Sequence, residues 1–204
     1  MRAIRVRTRN GLPQKRVRIM PCLVSALSLW VSVASAAETG RDPETGLESW
    51  QVETQGIQVR LTQISPDQAR AFYQARGFTP EQAEDYASRC VFMTVVRNIG
   101  TLPIEHRLSD WRYVAGDGEA RAIRSKTDWD AAWARLGVPE PARIAFDWAQ
   151  FPTTQTFHAG DWNQGMTSYP LPRGSRFKLI VTWHAGHAEH KTTLENVRCT
   201  DETQ

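Results

Sequence analysis

Cys90 and Cys199 constrain the fold of this 204-residue chain strongly, because a bond between them would hold two distant segments together. The N-terminal segment has a basic stretch followed by an apolar run, which predicts export, and exported proteins meet oxidising conditions. We therefore predict a Cys90–Cys199 disulfide, whereas Cys22 lies in the segment that export would remove. In the chain-entropy description, a bridge that closes so long a loop contributes roughly 4 to 5 kcal/mol. The alternative, a nucleophilic or metal-binding cysteine pair, lacks the C-x-x-C spacing that would support it.

The first 36 residues have the composition of a secretory signal peptide. Seven Arg or Lys and no acidic residue occupy positions 1–20, and the apolar run PCLVSALSLWVSVASAA follows directly. The small residues at its end suit signal peptidase, so cleavage is expected after Ala36 or Ala37. The alternative is an uncleaved anchor, because residues 19–37 approach the roughly 20 residues that span a bilayer. Cleavage predicts a periplasmic or secreted protein that has no membrane span.

Removal of the signal peptide reverses the net charge. The whole chain has 25 basic and 22 acidic residues, which gives a formal charge of +3. Because residues 1–36 hold seven of the basic residues and no acid, the remaining 168 residues have a charge of −4. A mildly acidic domain gives no support to nucleic-acid binding, which needs a basic face. Its length suits one domain with a hydrophobic core of its own.

Most of the remaining sequence has the period of β-strands. Residues 37–48 are polar and contain Gly and Pro, so they predict a flexible lead before a single domain at 49–204. WQVETQGIQVRLTQI alternates apolar and polar positions around Gly56, and VFMTVVRN is a continuous run typical of a buried central strand. Further strands are predicted in DWRYVAGDGEARAI, RIAFDWAQF, QTFHAGDW, RFKLIVTWH and HKTTLENVRC. Six to eight such strands predict a mainly β protein, an antiparallel β-sandwich.

Two segments interrupt the strands with helical signals. SPDQARAFYQARGFTPEQAEDYASRC contains helix starts at Ser65 and Thr79, each followed by Pro, and Gly77 suits the end of the first helix. We predict an inserted helical pair there and one further short helix in DWDAAWARLG. Trp129 and Trp133 lie four residues apart on this short helix, so both are predicted to be core residues.

About half of the mature chain carries a recognisable order of turns and strands. VFMTVVRNIGTLPIEHRLSDWRYVAGDGEARA has a strand, an Asn-x-Gly turn, a second strand and an Asp-Gly hairpin, and LPRGSRFKLIVTW has a later turn and strand. In this order the chain resembles bacterial exported immunoglobulin-like domains. The helical pair at 65–89 departs from the simple version of that fold. The resemblance implies an immunoglobulin-like scaffold, which by itself does not specify a function.

Three of the five histidines, His184, His187 and His190, lie within the segment WHAGHAEHK. If residues 185–189 form a hairpin loop, His184 and His190 face each other with Cβ atoms about 4.5 to 5.5 Å apart. Two imidazoles at that spacing can share one metal ion, and His187 at the loop tip can supply a third ligand. Glu189 can add an oxygen or orient a ring. A shift of one residue in the register would separate His184 from His190.

His158 and Met166 bracket the segment HAGDWNQGM and extend this predicted metal site. Histidines with methionine suit copper, whereas histidines with a carboxylate suit zinc. The alternative is that neutral histidines decorate an exposed turn. No nucleotide, phosphate or metalloprotease motif is present, and no spacing of Ser, His and Asp predicts a catalytic triad.

Seven tryptophans follow the signal segment, and a sandwich of this size needs large residues to fill its core. Trp162 is the expected exception because glycines and polar residues surround it, and an exposed aromatic side chain suits a sugar or a partner protein. Three hypotheses follow. The first is a non-enzymatic exported binding or accessory protein whose loops hold a protein partner or small ligand, and the second is periplasmic binding of copper or zinc. An enzyme whose residues converge only in the fold is the third.

Overall fold

The computed structural model of the chain describes residues 37–201, and the predicted signal peptide at 1–36 lies outside the described residues. The described part is mainly β. Its strands are β1 (Glu38–Arg41), β2 (Glu48–Thr54), β3 (Ile57–Gln63), β4 (Cys90–Asn98), β5 (Ile104–Arg107), β6 (Arg112–Val114), β7 (Ala120–Ala122), β8 (Thr154–Phe157), β9 (Trp162–Tyr169), β10 (Arg176–Ala185) and β11 (Ala188–Arg198). Its α-helices are α1 (Pro66–Gln74), α2 (Pro80–Ala87), α3 (Lys126–Arg135) and α4 (Glu140–Ala149).

The strands form two antiparallel sheets. The first sheet has the order β1-β2-β3-β4-β9. In the second sheet β10 pairs with β11 along one side and with β5 and β6 on the other. Strand β8 completes the edge beyond β5, and β7 completes the edge beyond β6. The prediction of a mainly β protein with antiparallel strands is confirmed.

Strand β1 is a difference from the sequence prediction, which placed residues 37–48 before the fold. Glu38–Arg41 pair with residues 48–51 of β2. The following turn is closed by the Asp42 carboxylate, which accepts hydrogen bonds from the backbone N–H groups of Glu44 and Thr45. Aspartate is common at this position of a turn because its carboxylate can accept hydrogen bonds from backbone N–H groups that follow it. The polar composition of this segment therefore reflects an exposed edge strand and its turn.

Two hydrophobic cores lie on opposite faces of the first sheet. One core fills the space between the sheets, and the other lies between the first sheet and the four helices. Phe92 of β4 belongs to the core between the sheets, whereas Val91 contacts the helical side. A strand covered on both faces needs apolar residues at consecutive positions. The prediction that VFMTVVRN is a buried central strand is therefore confirmed.

Helices α1 and α2 begin as predicted. Ser65 and Thr79 each cap a helix and form a capping box with Gln68 and Gln82. Trp129 and Trp133 of α3 are fully buried and stack with ring centroids 4.9 Å apart. Both predictions, the helical pair and the core tryptophans, are confirmed.

The prediction of a strand in RIAFDWAQF is wrong, because residues 143–149 of this segment belong to α4. Ala142 and Phe146 are its buried residues, and their spacing of four is that of one helix face. The same apolar residues also fit an alternating pattern, so periodicity alone could not separate a strand from a helix. Packing of Phe146 against the rings of Trp133 and Tyr86 selects the helix. Residues 37–201 therefore contain four α-helices where the sequence predicted three.

The predicted disulfide is present. Cys90, at the start of β4, is bonded to Cys199, directly after β11, with a Cα–Cα distance of 5.1 Å. Both cysteines are buried within the core between the sheets. The bond therefore joins β4, an inner strand of the first sheet, to the end of β11, which pairs with β10 in the second sheet. No helix among residues 37–201 has the length and apolarity needed to cross a membrane.

Gly165 of β9 lies directly against the backbone of residues 150–151, which follow helix α4. A Cβ atom added to Gly165 would lie 2.4 Å from the backbone nitrogen of Phe151, which donates a hydrogen bond to the Met166 carbonyl. We expect Gly165→Ala to lower the free energy of unfolding by about 2 to 3 kcal/mol, because backbone must move to make room. Urea denaturation measures this loss. Gly116→Ala, whose Cβ would meet no atom within 4 Å, is the control and should change stability by less than about 1 kcal/mol.

Candidate functional site

Four chain connections lie at one end of the sandwich, which we name the loop end. The strand registers place them together, because Ile57 pairs with Asn98, and Ile104 pairs with both Phe157 and Ala185. At this same end β9 begins, with Trp162 opposite Arg97. The loop end consists of residues 55–56, 99–103, 158–161 and 186–187.

Asn98, fully buried at the end of β4, ties two of these connections together. Its side-chain amide nitrogen donates hydrogen bonds to the carbonyl oxygens of Leu102 (2.8 Å) and Phe157 (2.9 Å). Its side-chain oxygen accepts a hydrogen bond from the Gly100 backbone N–H at 2.9 Å. One buried side chain therefore satisfies backbone groups on both the 99–103 loop and the end of β8, as buried polar groups require.

The turn between β2 and β3 is held against the same loop. The Gly56 carbonyl accepts hydrogen bonds from the backbone N–H groups of Ile99 (2.8 Å) and Gly100 (3.0 Å). Gln55 and Gly56 both have positive φ, 45° and 83°, as a two-residue hairpin turn of type I′ requires. A Cβ atom on Gly100 would lie 3.0 Å from the Gly56 Cα, so the two backbones approach closely. The loop end is therefore ordered by its own hydrogen bonds.

A cleft of about 290 Å³ opens between the two sheets at the loop end. Residues of both sheets and their loops line it, among them Gln55, Thr101, Leu102, Ile104 and His190. Large apolar side chains are exposed at this end of the molecule: Leu102 is 65% exposed, Trp162 53% and Ile99 45%. The exposure predicted for Trp162 is confirmed.

The histidine hairpin has a different register from the one that the sequence suggested. His184 pairs with Glu189, and His190 pairs with Trp183, so the prediction that His184 and His190 face each other is wrong. The turn contains only Gly186 and His187 instead of five residues, and Gly186 has a φ of 60°. A one-residue slip moves a side chain to the other face of a sheet.

The two strand histidines consequently have separate environments. The His184 Nε2 lies 3.7 Å from the Asp110 Oδ2, on the face opposite to the buried Trp183. The His190 ring stacks on Trp183 with centroids 5.5 Å apart, and its Nδ1 lies 2.6 Å from the Gln55 Oε1. The structure therefore does not bring these two rings together.

The other predicted ligands are also dispersed. His187 is exposed at the hairpin tip, and His158 is exposed in the 158–161 turn, where its backbone N–H donates to Asp161. Met166 is buried on the helical side of the first sheet, where the Tyr73 hydroxyl lies 3.2 Å from its sulfur. His158 and His187 thus belong to the loop end, and His184 and His190 lie in the strands next to it, but Met166 does not. Within residues 37–201, no group of three or more His, Cys, Asp or Glu is placed to hold a metal ion.

The fifth histidine, His106, was not assigned a role from the sequence. It is fully buried on β5, and neither ring nitrogen has a hydrogen-bond partner. Its ring lies among three aromatic rings, with centroid distances of 5.7 Å to Trp111, 5.0 Å to Phe151 and 5.7 Å to Phe157. Burial lowers the pKa of His106 to about 4, against a smaller opposing effect of the Glu105 charge. The alternation of Ile104, His106 and Leu108 is a sequence signal that could have placed His106 on the inner face.

A second exposed apolar surface lies on helix α4. Trp148 is 85% exposed, although the sequence favoured core packing for it, and Ile144 lies one turn earlier on the same helix. The charged groups beside them are engaged in ion pairs, Arg143 with Asp130 and Lys126 with Asp147, each at 2.8 Å. This surface of α4 is the alternative to the loop end as a partner-binding site.

Known proteins supply no family for this chain. It matches no protein-family model, no curated protein and no solved structure. The loop end, with its fixed backbone and exposed apolar side chains, is therefore the strongest structural basis for a function.

Proposed function

We propose that this protein is an exported, non-enzymatic binding or accessory protein that holds a protein partner at its loop end. The observation that supports this proposal most directly is the fixed arrangement of the loops around Asn98, which leaves Leu102 and Trp162 in solvent. A surface that is ordered before binding loses less conformational entropy when a partner arrives. Aromatic side chains such as tryptophan often contribute most of the binding energy at an interface.

A protein partner fits this end better than a small molecule. The cleft of about 290 Å³ is open and lies at the lower limit of the roughly 300 to 1,000 Å³ that ligand sites usually provide. The exposed apolar side chains of Ile99 and Leu102 belong to the loop beside the cleft. An apolar partner surface would cover both the cleft and its rim.

The proposed location is the periplasm or the extracellular space, and the proposed scaffold is an immunoglobulin-like sandwich. The signal-like composition of residues 1–36 and the Cys90–Cys199 bond support export, because structural disulfides persist in oxidising compartments. Two antiparallel sheets around a common core support the scaffold.

Site-specific photocrosslinking in the organism that produces the protein tests the partner surface. A photoreactive amino acid at Leu102 is expected to give a discrete adduct that is absent when the group is placed at Glu44. Glu44 is the matched control, since it is exposed in the turn at the opposite end of the sandwich. An adduct from Trp148 with none from Leu102 would move the partner to helix α4 and contradict the proposal.

Metal binding through His184, His187 and His190, with His158 and Met166, stays a prediction. Titration of the chain without its signal segment with Zn²⁺, Cu²⁺ and Cu⁺ tests it against a variant that has alanine at the three hairpin histidines. Because the rings of His184 and His190 are separated, we expect weak binding that the variant shares. Stoichiometric binding tighter than micromolar, lost in the variant, would make metal handling the better function.

A further inference from the structure

His106 is a neutral imidazole in a place that cannot accommodate its charged form. The side chains opposite it on neighbouring strands are Gln155 of β8 and Trp183 of β10, and neither is charged. The rings packed around it, those of Trp111, Phe151 and Phe157, are also uncharged. Glu105, its neighbour on β5, is the charged group whose field reaches the ring. Because both ring nitrogens lack hydrogen-bond partners, an added proton would be unpaired in the core.

Separation of strand β8 from β5 is the smallest rearrangement of the sheet that would let water reach His106. It has four residues, lies at the edge of the second sheet and pairs with β5 alone. Its last residue, Phe157, packs against the His106 ring, whereas Thr154 and Thr156 are exposed. Short exposed edge elements are the ones that open at low free energy. Strand β10, by contrast, has ten residues and neighbours on both sides.

We propose that β8 is an acid-released strand, which separates from β5 when His106 takes up a proton from solvent. Separation lets water reach the imidazolium and stabilises it. Strand β8 leads directly into the 158–161 turn, and the Asn98 side chain donates a hydrogen bond to the Phe157 carbonyl. Release of β8 therefore also loosens the loop end. The effect on partner binding rests on the proposed function, but the opening of the strand does not.

The direction of the effect follows from the two protonation equilibria. The pKa of His106 is about 4 in the closed state and returns toward its ordinary value of 6.5 when the ring is hydrated. The open state therefore binds more protons between these values, and the closed state loses stability as the pH falls from about 6.5 to about 4. These values give about a 20-fold increase in the open population between pH 7 and pH 5.

Hydrogen exchange followed by mass spectrometry tests the proposal on the purified protein without a partner. Protection factors, which remove the intrinsic effect of pH on exchange, are compared for β8 and β4 at pH 7 and pH 5. We expect β8 to be less protected than β4 at pH 7, and its protection to fall about 20-fold at pH 5. Equal protection of β8 and β4 at both pH values would overturn the proposal, because the domain would then open only as a whole.

Variants assign the effect to His106. His106→Phe fits the aromatic surroundings, and His106→Leu serves if phenylalanine does not fold; either variant should lose the fall in β8 protection. His158→Ala is the matched control, since His158 is exposed directly after β8, and it should keep the fall. Persistence of the acid response in the folded His106 variant would overturn the proposal. A failed crosslink at Leu102 would leave this result unaffected, so the two proposals can fail separately.

Discussion

Replacing Cys90 and Cys199 together with alanine is expected to lower the free energy of unfolding by roughly 4 to 5 kcal/mol. The bond closes a loop of 109 residues, so the unfolded chain without it gains a large conformational entropy. The stability of a domain of this size is typically only about 5 to 15 kcal/mol, so this loss is a large part of the total. Urea denaturation of the double variant and of the wild type measures the difference.

The wild-type protein with its bond reduced is the control for the disulfide. Its unfolding midpoint should agree with that of the double variant, since both lack the bond and keep the remaining core. A loss of less than about 1 kcal/mol would contradict the expectation. It would mean that residual structure already restricts the unfolded ensemble or that the bond strains the native state.

Asn98→Asp is expected to lower the free energy of unfolding by about 3 to 5 kcal/mol at pH 7, the range for an unpaired buried charge. The change keeps the shape of the side chain but replaces an amide nitrogen by an oxygen. This oxygen would lie at hydrogen-bond distance from the carbonyl oxygens of Leu102 and Phe157, which then lose their donor. Hydrogen exchange of residues 99–103 should rise together with the loss in urea stability.

The effect of Asn98→Asp should depend on pH. Burial and the two carbonyl oxygens disfavour the charged carboxylate, so the pKa of the new carboxyl in the folded state lies above its unfolded value. The variant is therefore expected to be closest to the wild type in acid and to lose stability as the pH rises through the raised pKa. Asn196→Asp makes the same change at an exposed position and should alter stability by less than about 0.5 kcal/mol. Equal effects at the two positions would show that Asn98 does not hold the loop end.

Local sequence signals were sufficient where neighbouring residues decide the structure. Ser65 and Thr79 satisfy the first backbone N–H groups of their own helices, so the capping pattern predicted both starts. The apolar run after Cys90 predicted a buried strand, because a strand covered on both faces is apolar throughout. The prediction of a strand in RFKLIVTWH likewise depended on local alternation, and Phe177, Leu179 and Val181 form the buried face of β10.

The candidate site depended on contacts that no local pattern contains. Asn98 was visible as part of a turn, but its three hydrogen bonds reach backbone groups up to 59 residues away. The predicted pairing of His184 with His190 is wrong because the turn is shorter than the sequence suggested. A one-residue slip changes which side chains face each other. The apolar residues of the segment at 140–149 fit both a strand and a helix period. The helix is decided by the packing of Phe146 against the rings of Tyr86 and Trp133.

The sequence alone therefore determined the mainly β composition, the starts of α1 and α2 and the buried strand β4, because short-range hydrogen bonding and the period of apolar residues encode them. It also determined the cysteine pair, because only two cysteines follow the predicted signal segment. Only the tertiary structure decided the register of the histidine hairpin, the helical state of residues 140–149 and the convergence of four connections at the loop end. It also decided the isolation of His106, since burial of one side chain depends on rings contributed by distant segments.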